Sequence, residues 1–104
     1  SLGLVLPAVR DLLAPGGRVV ALVKPQFEAG REDVPRGGVV REPAIWRHVL
    51  QSVAEAAVGT GVHPTHVIRS PIAGGDGNVE FLMALGTDLS TEVGDVHAMI
   101  EDAL

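Results

Sequence analysis

The sequence contains no cysteine, which excludes a disulfide framework, a thiolate metal site and a cysteine nucleophile, and predicts a reducing, cytoplasmic setting. Aromatic residues are nearly absent: two phenylalanines and one tryptophan in 104 positions. That excludes the row of stacking side chains that binds single-stranded nucleic acid along its length. Positive charge is also scarce, since eight Lys and Arg against thirteen Asp and Glu leave a formal net charge of −5. A protein that coats nucleic acid carries a basic field to neutralise phosphates, so any RNA contact here must be local. No apolar run approaches the roughly 18 residues that span a bilayer as a helix. No basic, apolar, small-residue order marks a secretory leader either. The expectation is a protein with no membrane partner.

What is present is an apolar fraction of 46%, enough for one small core and too little chain for two independent domains. Leu2, Leu4, Val5, Leu6, Val9, Leu12 and Leu13 form a helix-like opening, with Pro7 expected in the first turn of its regular part and Pro15-Gly16-Gly17 as the stop. Residues 18 to 24, Arg-Val-Val-Ala-Leu-Val-Lys, are a short, nearly continuous apolar run, the pattern of a strand buried on both faces of an α/β sheet. Lys24 falls at its carboxyl end. Three glycines and two prolines among many charges make Pro25 to Glu42 a long loop.

Pro43 opens a helix in which Ile45, Val49, Leu50, Val53 and Ala57 recur at helical spacing, closed by Gly59 and Gly61. Thr65 to Ser70 leans towards a strand, Pro71 to Asn78 reads as a glycine-rich turn, and Val79 to Gly86 as a further strand. Ser90 or Thr91 is the expected cap of a last helix with Val93, Val96, Ile100 and Ala103 on one face. Two strands joined through a helix run parallel, whereas the last pair, joined by a glycine-rich connection, is expected antiparallel. Lys24 and Glu80 then share one edge of the sheet, and the edge beyond the carboxyl ends of parallel strands is where open α/β sheets place ligands.

Several residues carry chemistry worth weighing. Lys24 reads either as a strand-end lysine with its ammonium in water or as a functional group. Glu80 interrupts the apolar run Val79-Glu80-Phe81-Leu82-Met83, and a carboxylate beside a core needs a partner; a structural ion pair would serve equally well. Gly74 to Asn78 matches neither a phosphate loop nor a dinucleotide fingerprint and reads as a plain turn. His63 and His66 flank Pro64 in an expected loop with no third metal ligand evident, and His48 and His97 read as ordinary helix residues. Ser70 and Ser90 lack a glycine elbow, and Trp46 reads as helix packing. The cations Lys24, Arg31, Arg36, Arg41 and Arg47 alternate with Glu28, Glu32, Asp33 and Glu42, a mixed surface and not a basic patch.

Three strings in order are more specific than these patterns: Lys24-Pro25-Gln26-Phe27-Glu28-Ala29-Gly30-Arg31-Glu32, Gly37-Gly38-Val39-Val40-Arg41, and Gly77-Asn78-Val79-Glu80-Phe81-Leu82. Together they resemble the TlyA family, FtsJ-like ribose 2'-O-methyltransferases often called hemolysins, and the resemblance runs from Ser1 to about Leu85. It implies the C-terminal part of a Rossmann-like, S-adenosylmethionine-dependent methyltransferase fold, residues 1–104 forming a partial domain with a parallel strand, a final antiparallel strand and flanking helices. It also implies that Lys24 matches the second lysine, and Glu80 the glutamate, of the family's Lys-Asp-Lys-Glu catalytic set. Gln26, Phe27, Glu28, Arg31, Arg41 and Asn78 become candidate substrate-binding residues. The family's aspartate, first lysine and glycine-rich cofactor loop correspond to positions before Ser1, so the chain alone is expected to be inactive and to hold no cofactor-binding residue.

The implied activity is methylation of a ribose hydroxyl in ribosomal RNA, with ribosomal RNA or a ribosomal subunit as partner. The 2'-hydroxyl must lose its proton as its oxygen attacks the methyl group. An ammonium is a poor base until burial or a second positive charge favours its neutral form. Lys24 is therefore expected to act as base or oxyanion stabiliser, with Glu80 orienting it and the RNA. Two other classes remain open, a membrane-active hemolysin and a non-catalytic RNA-binding module, although the negative charge and the lack of a basic amphipathic helix oppose the first. The strand over residues 18 to 24 is expected to expose an edge and apolar surface, favouring self-association.

Overall fold

A computed structural model describes residues 1–74, 77–87 and 95–104. Three strands form one sheet: β1 (Arg18–Val23), β2 (His63–Arg69) and β3 (Phe81–Gly86), in the order β1-β3-β2. β3 is antiparallel to both neighbours. The first two strands thus run in the same direction, as their helical connection requires, but they do not pair with each other. Every hydrogen-bonded pairing is antiparallel because β3 lies between them.

The helices are α1 (Leu2–Leu12), a single turn α2 (Pro25–Glu28), α3 (Pro43–Gly59) and α4 (Val96–Ala103). α3 starts with Pro43 in its first turn, where the missing N–H costs nothing. It buries Trp46, Val49, Leu50, Val53, Ala54 and Ala57 along one side. Its end is a Schellman closure: Gly61 has φ 89°, its N–H donates to the carbonyl of Val58, and the N–H of Val62 donates to that of Ala57. α3 and α4 cover the face of the sheet that carries Phe81, Met83, Leu85 and Val67. Trp46 meets Phe81 edge to face at 5.9 Å and donates its indole N–H to the carbonyl of Val40.

Five features depart from expectation. α1 runs straight through Pro7 from Leu2, because a tertiary contact anchors its start: the N–H of Leu2 donates to Glu28 Oε1 at 2.9 Å. The segment 25–42 is not all loop, containing α2 and a 3-10 turn at Arg31–Asp33. β2 begins at His63 and includes Pro64, which an edge strand tolerates because one side of its backbone needs no ladder bond; a register irregularity follows between Pro64 and His66. β1 is covered on one face only, leaving Val20 and Leu22 exposed on the sheet face that also carries Ile68 of β2, across β3. α4 is capped by Asp95, whose carboxylate accepts from the N–H groups of His97 and Ala98. The predicted caps Ser90 and Thr91, and Val93, lie outside the described residues. No helix among those residues is long and apolar enough to cross a membrane.

Candidate active site

The last register pair between β1 and β3 is Val23 with Phe81. One step further along the same two chains stand Lys24 and Glu80, so antiparallel pairing brings the lysine and the carboxylate to one end of the sheet. Lys24 is also the N-cap of α2, its carbonyl accepting from Phe27 and Glu28, while Pro25 is buried and fixes the turn. Glu80 is held from its other side, its carbonyl accepting from Ser70 at the end of β2.

The two side chains are differently placed. The Lys24 ammonium lies 5.5 Å from the ring centre of the exposed Phe27, within cation–π range. The Glu80 side chain is 6% exposed, and Gln26 Nε2 donates to its Oε2 at 3.0 Å. Lys24 and Glu80 are not ion-paired; among the described residues the only salt bridge joins Arg47 and Glu101. The partner that burial of Glu80 demanded is a neutral amide.

The remaining candidates divide into those turned to backbone and those turned to solvent. Glu28 anchors the start of α1. Asn78, 2% exposed, fastens the loop before α3, accepting from Val40 N–H at 3.0 Å and donating to the Gly38 carbonyl at 2.9 Å. Arg31, Phe27 and Arg41 are exposed, and Arg41 borders a hollow with Glu32, Asp33 and Glu42.

Gly74, read from the sequence as part of a plain turn, has a place in the site that the sequence did not reveal. A methyl carbon built there would overlap the Glu80 carboxylate and come within 3.0 Å of Cγ. The signal available was a paired glycine shortly before a carboxylate in an apolar run, which also fits an ordinary turn. Gly75 and Asp76 of that turn lie outside the described residues.

His63 and His66 lie in β2 and not in a loop; His63 is buried with Nε2 unpartnered, while His66 is exposed beside Thr65. No cluster of three metal-ligating side chains occurs among the described residues. The strand-to-helix step that these residues complete, from β1 into α2, carries Lys24-Pro25 in place of a glycine loop. It does not fit an adenosyl cofactor by itself.

Residues 1–87 match the FtsJ-like methyltransferase family. The chain is 49% identical over 85 residues to YqxC of Bacillus subtilis, provisionally named an rRNA methyltransferase, covering 82% of this chain and 30% of that protein. It is 41% identical over 87 residues to TlyA of Mycobacterium tuberculosis, named a 16S/23S rRNA (cytidine-2'-O)-methyltransferase, covering 84% of this chain and 32% of that one. A solved structure from Streptococcus thermophilus, provisionally named a hemolysin, superposes with a TM-score of 0.85 at 44% identity, over 99% of this chain and 38% of that one. The chain therefore spans about a third of the length of the curated relatives it matches.

Proposed function

The chain belongs to the FtsJ-like methyltransferase family, and from that premise we propose that it forms the carboxyl-terminal part of a Rossmann-like domain that methylates ribose 2'-hydroxyls of ribosomal RNA. The observation that supports this reading is the register in which Lys24 and Glu80 each lie one residue beyond the paired residues Val23 and Phe81. The names of YqxC and TlyA support RNA as the substrate.

S-adenosylmethionine is the proposed methyl donor of the complete protein. Because the described residues do not fit it alone, the contribution assigned to this chain is on the acceptor side. Lys24 takes the proton of the attacking hydroxyl or stabilises the oxygen as it becomes negative. Glu80 orients the ammonium and the ribose. Phe27, Arg31 and Arg41, exposed on the same stretch of chain, supply a local RNA contact that the overall negative charge does not forbid. The isolated chain, with β1 at a sheet edge and its Val20 and Leu22 exposed, is expected to self-associate.

Two measurements test the reading. Calorimetry with S-adenosylmethionine should show binding by the complete protein and none by residues 1–104 alone. In the complete protein, Lys24→Ala should lower methyl transfer to ribosomal RNA by about 100-fold or more, the usual contribution of positioned proton transfer. Turnover that survives this change would remove Lys24 from the mechanism, and RNA binding without any methyl transfer would favour a non-catalytic RNA-binding module.

A further inference from the structure

Glu80 sits in a socket that strand register alone does not require. On one side Gln26, in the single turn α2, donates Nε2 to Oε2 at 3.0 Å. On the other, the backbone of Gly74 comes so close that a Cβ would overlap the carboxylate. Gly74 is held in place by its own turn, its N–H donating to the Asn78 carbonyl and its carbonyl accepting from Gly77. The far end of the Gln26 amide, Oε1, is buried with no hydrogen-bond partner among the described residues. Among the described residues, the bond to Glu80 is what fixes how that amide is turned.

We propose that Gln26 and Gly74 are positioning residues for Glu80, Gln26 fixing the direction of the carboxylate with one neutral N–H and Gly74 leaving the space in which it lies. The inference rests on the proposed role of Glu80. A neutral donor orients a carboxylate without cancelling its charge, which a guanidinium in the same place would do. The buried, unmatched Oε1 costs stability. An apolar side chain in place of Gln26 would avoid that cost but would leave Glu80 without a donor.

In the complete protein, Gln26→Met keeps length and volume but removes the donor. It should lower kcat for methyl transfer by about 10- to 100-fold, the worth of one hydrogen bond to a charged group, with KM for RNA unchanged. Gly74→Ala should act in the same direction. Placed in a Glu80→Ala background, neither change should lower turnover further, because residues that act through one another are not additive. Equal losses in both backgrounds would overturn the proposal, as would a change confined to KM.

A readout free of activity separates this inference from the function itself. In nitrogen-15 spectra of the complete protein, the Gln26 side-chain NH2 should exchange slowly with solvent, and Glu80→Ala should abolish that protection. An NH2 that exchanges like that of an exposed glutamine would overturn the socket even if methylation is found. Protection lost on Glu80→Ala would support it even if methylation is not.

Discussion

On the surface between α3 and α4, Glu101 receives two N–H groups from Arg47. At the end of the sheet Glu80, far more buried, accepts from the neutral amide of Gln26 and has the backbone of Gly74 against it. Folding stability alone would favour the opposite arrangement, since the more buried carboxylate is the one that most needs a countercharge. A cation is at hand, for Lys24 and Glu80 each lie one residue beyond the last register pair Val23 and Phe81, yet the Lys24 ammonium rests over Phe27. Under the proposed function, a buried carboxylate that meets a neutral amide instead of the nearby lysine is an arrangement kept for the site at some cost in stability. Glu101 has the form of an ordinary surface ion pair.

The sharpest way to break this comparison is to remove each carboxylate in the complete protein. Glu80→Ala should lower methyl transfer to ribosomal RNA by about 100-fold or more, while Glu101→Ala leaves turnover within about twofold. Equal effects on turnover would mean that the contrast between the two carboxylates is not functional. Next in size is the clasp beneath the site. Asn78→Ala removes both bonds to the loop before α3 and leaves the Val40 N–H and the Gly38 carbonyl without them. It should cost about 2–3 kcal/mol in denaturant unfolding. A smaller loss than that caused by Glu101→Ala would show that the buried, neutral clasp of Asn78 on this loop holds less than the surface pair does.

Much of this contrast was legible in the residues. Pro43, the helical spacing of Val49, Leu50 and Val53, and the closing Gly61 specify α3 locally. The shared edge of Lys24 and Glu80 follows from chain direction alone. Other features depend on contacts between distant residues. Pro7 argues for a later helix start, yet the helix begins at Leu2, whose N–H is held by Glu28 from another segment. A continuous apolar run from Val19 to Val23 does not say that one face goes uncovered, because strand pattern records apolarity and not which helices are there to bury it. The need of Glu80 for a partner was visible, but that the partner is Gln26, and that Gly74 must be glycine to admit the carboxylate, are facts of packing across more than fifty residues of chain in the first case and of a turn that looks ordinary in the second.

The smallest expected effect lies at Glu101 itself, where pH isolates the pair. The hydrogen bond from Arg47 is the main cause holding the Glu101 carboxyl below its ordinary value of 4.5; partial desolvation opposes it, and the charges of Arg47 and His97 add to it. Near that ordinary value the folded protein binds fewer protons at Glu101 than the unfolded chain does. The pair's stabilisation is therefore fully present above it and is lost as the pH falls through the lower folded value. Both side chains are more than a third exposed, so the effect should be slight and screened by salt. At neutral pH and low ionic strength Glu101→Gln should melt slightly below the unsubstituted protein. The gap should close on adding salt and again as the pH drops below about 4, where an ordinary carboxylate protonates in the unfolded chain. A gap that persists in acid or grows with salt would mean that Glu101 acts through packing, and that the comparison with Glu80 is not one between a paired charge and an unpaired one.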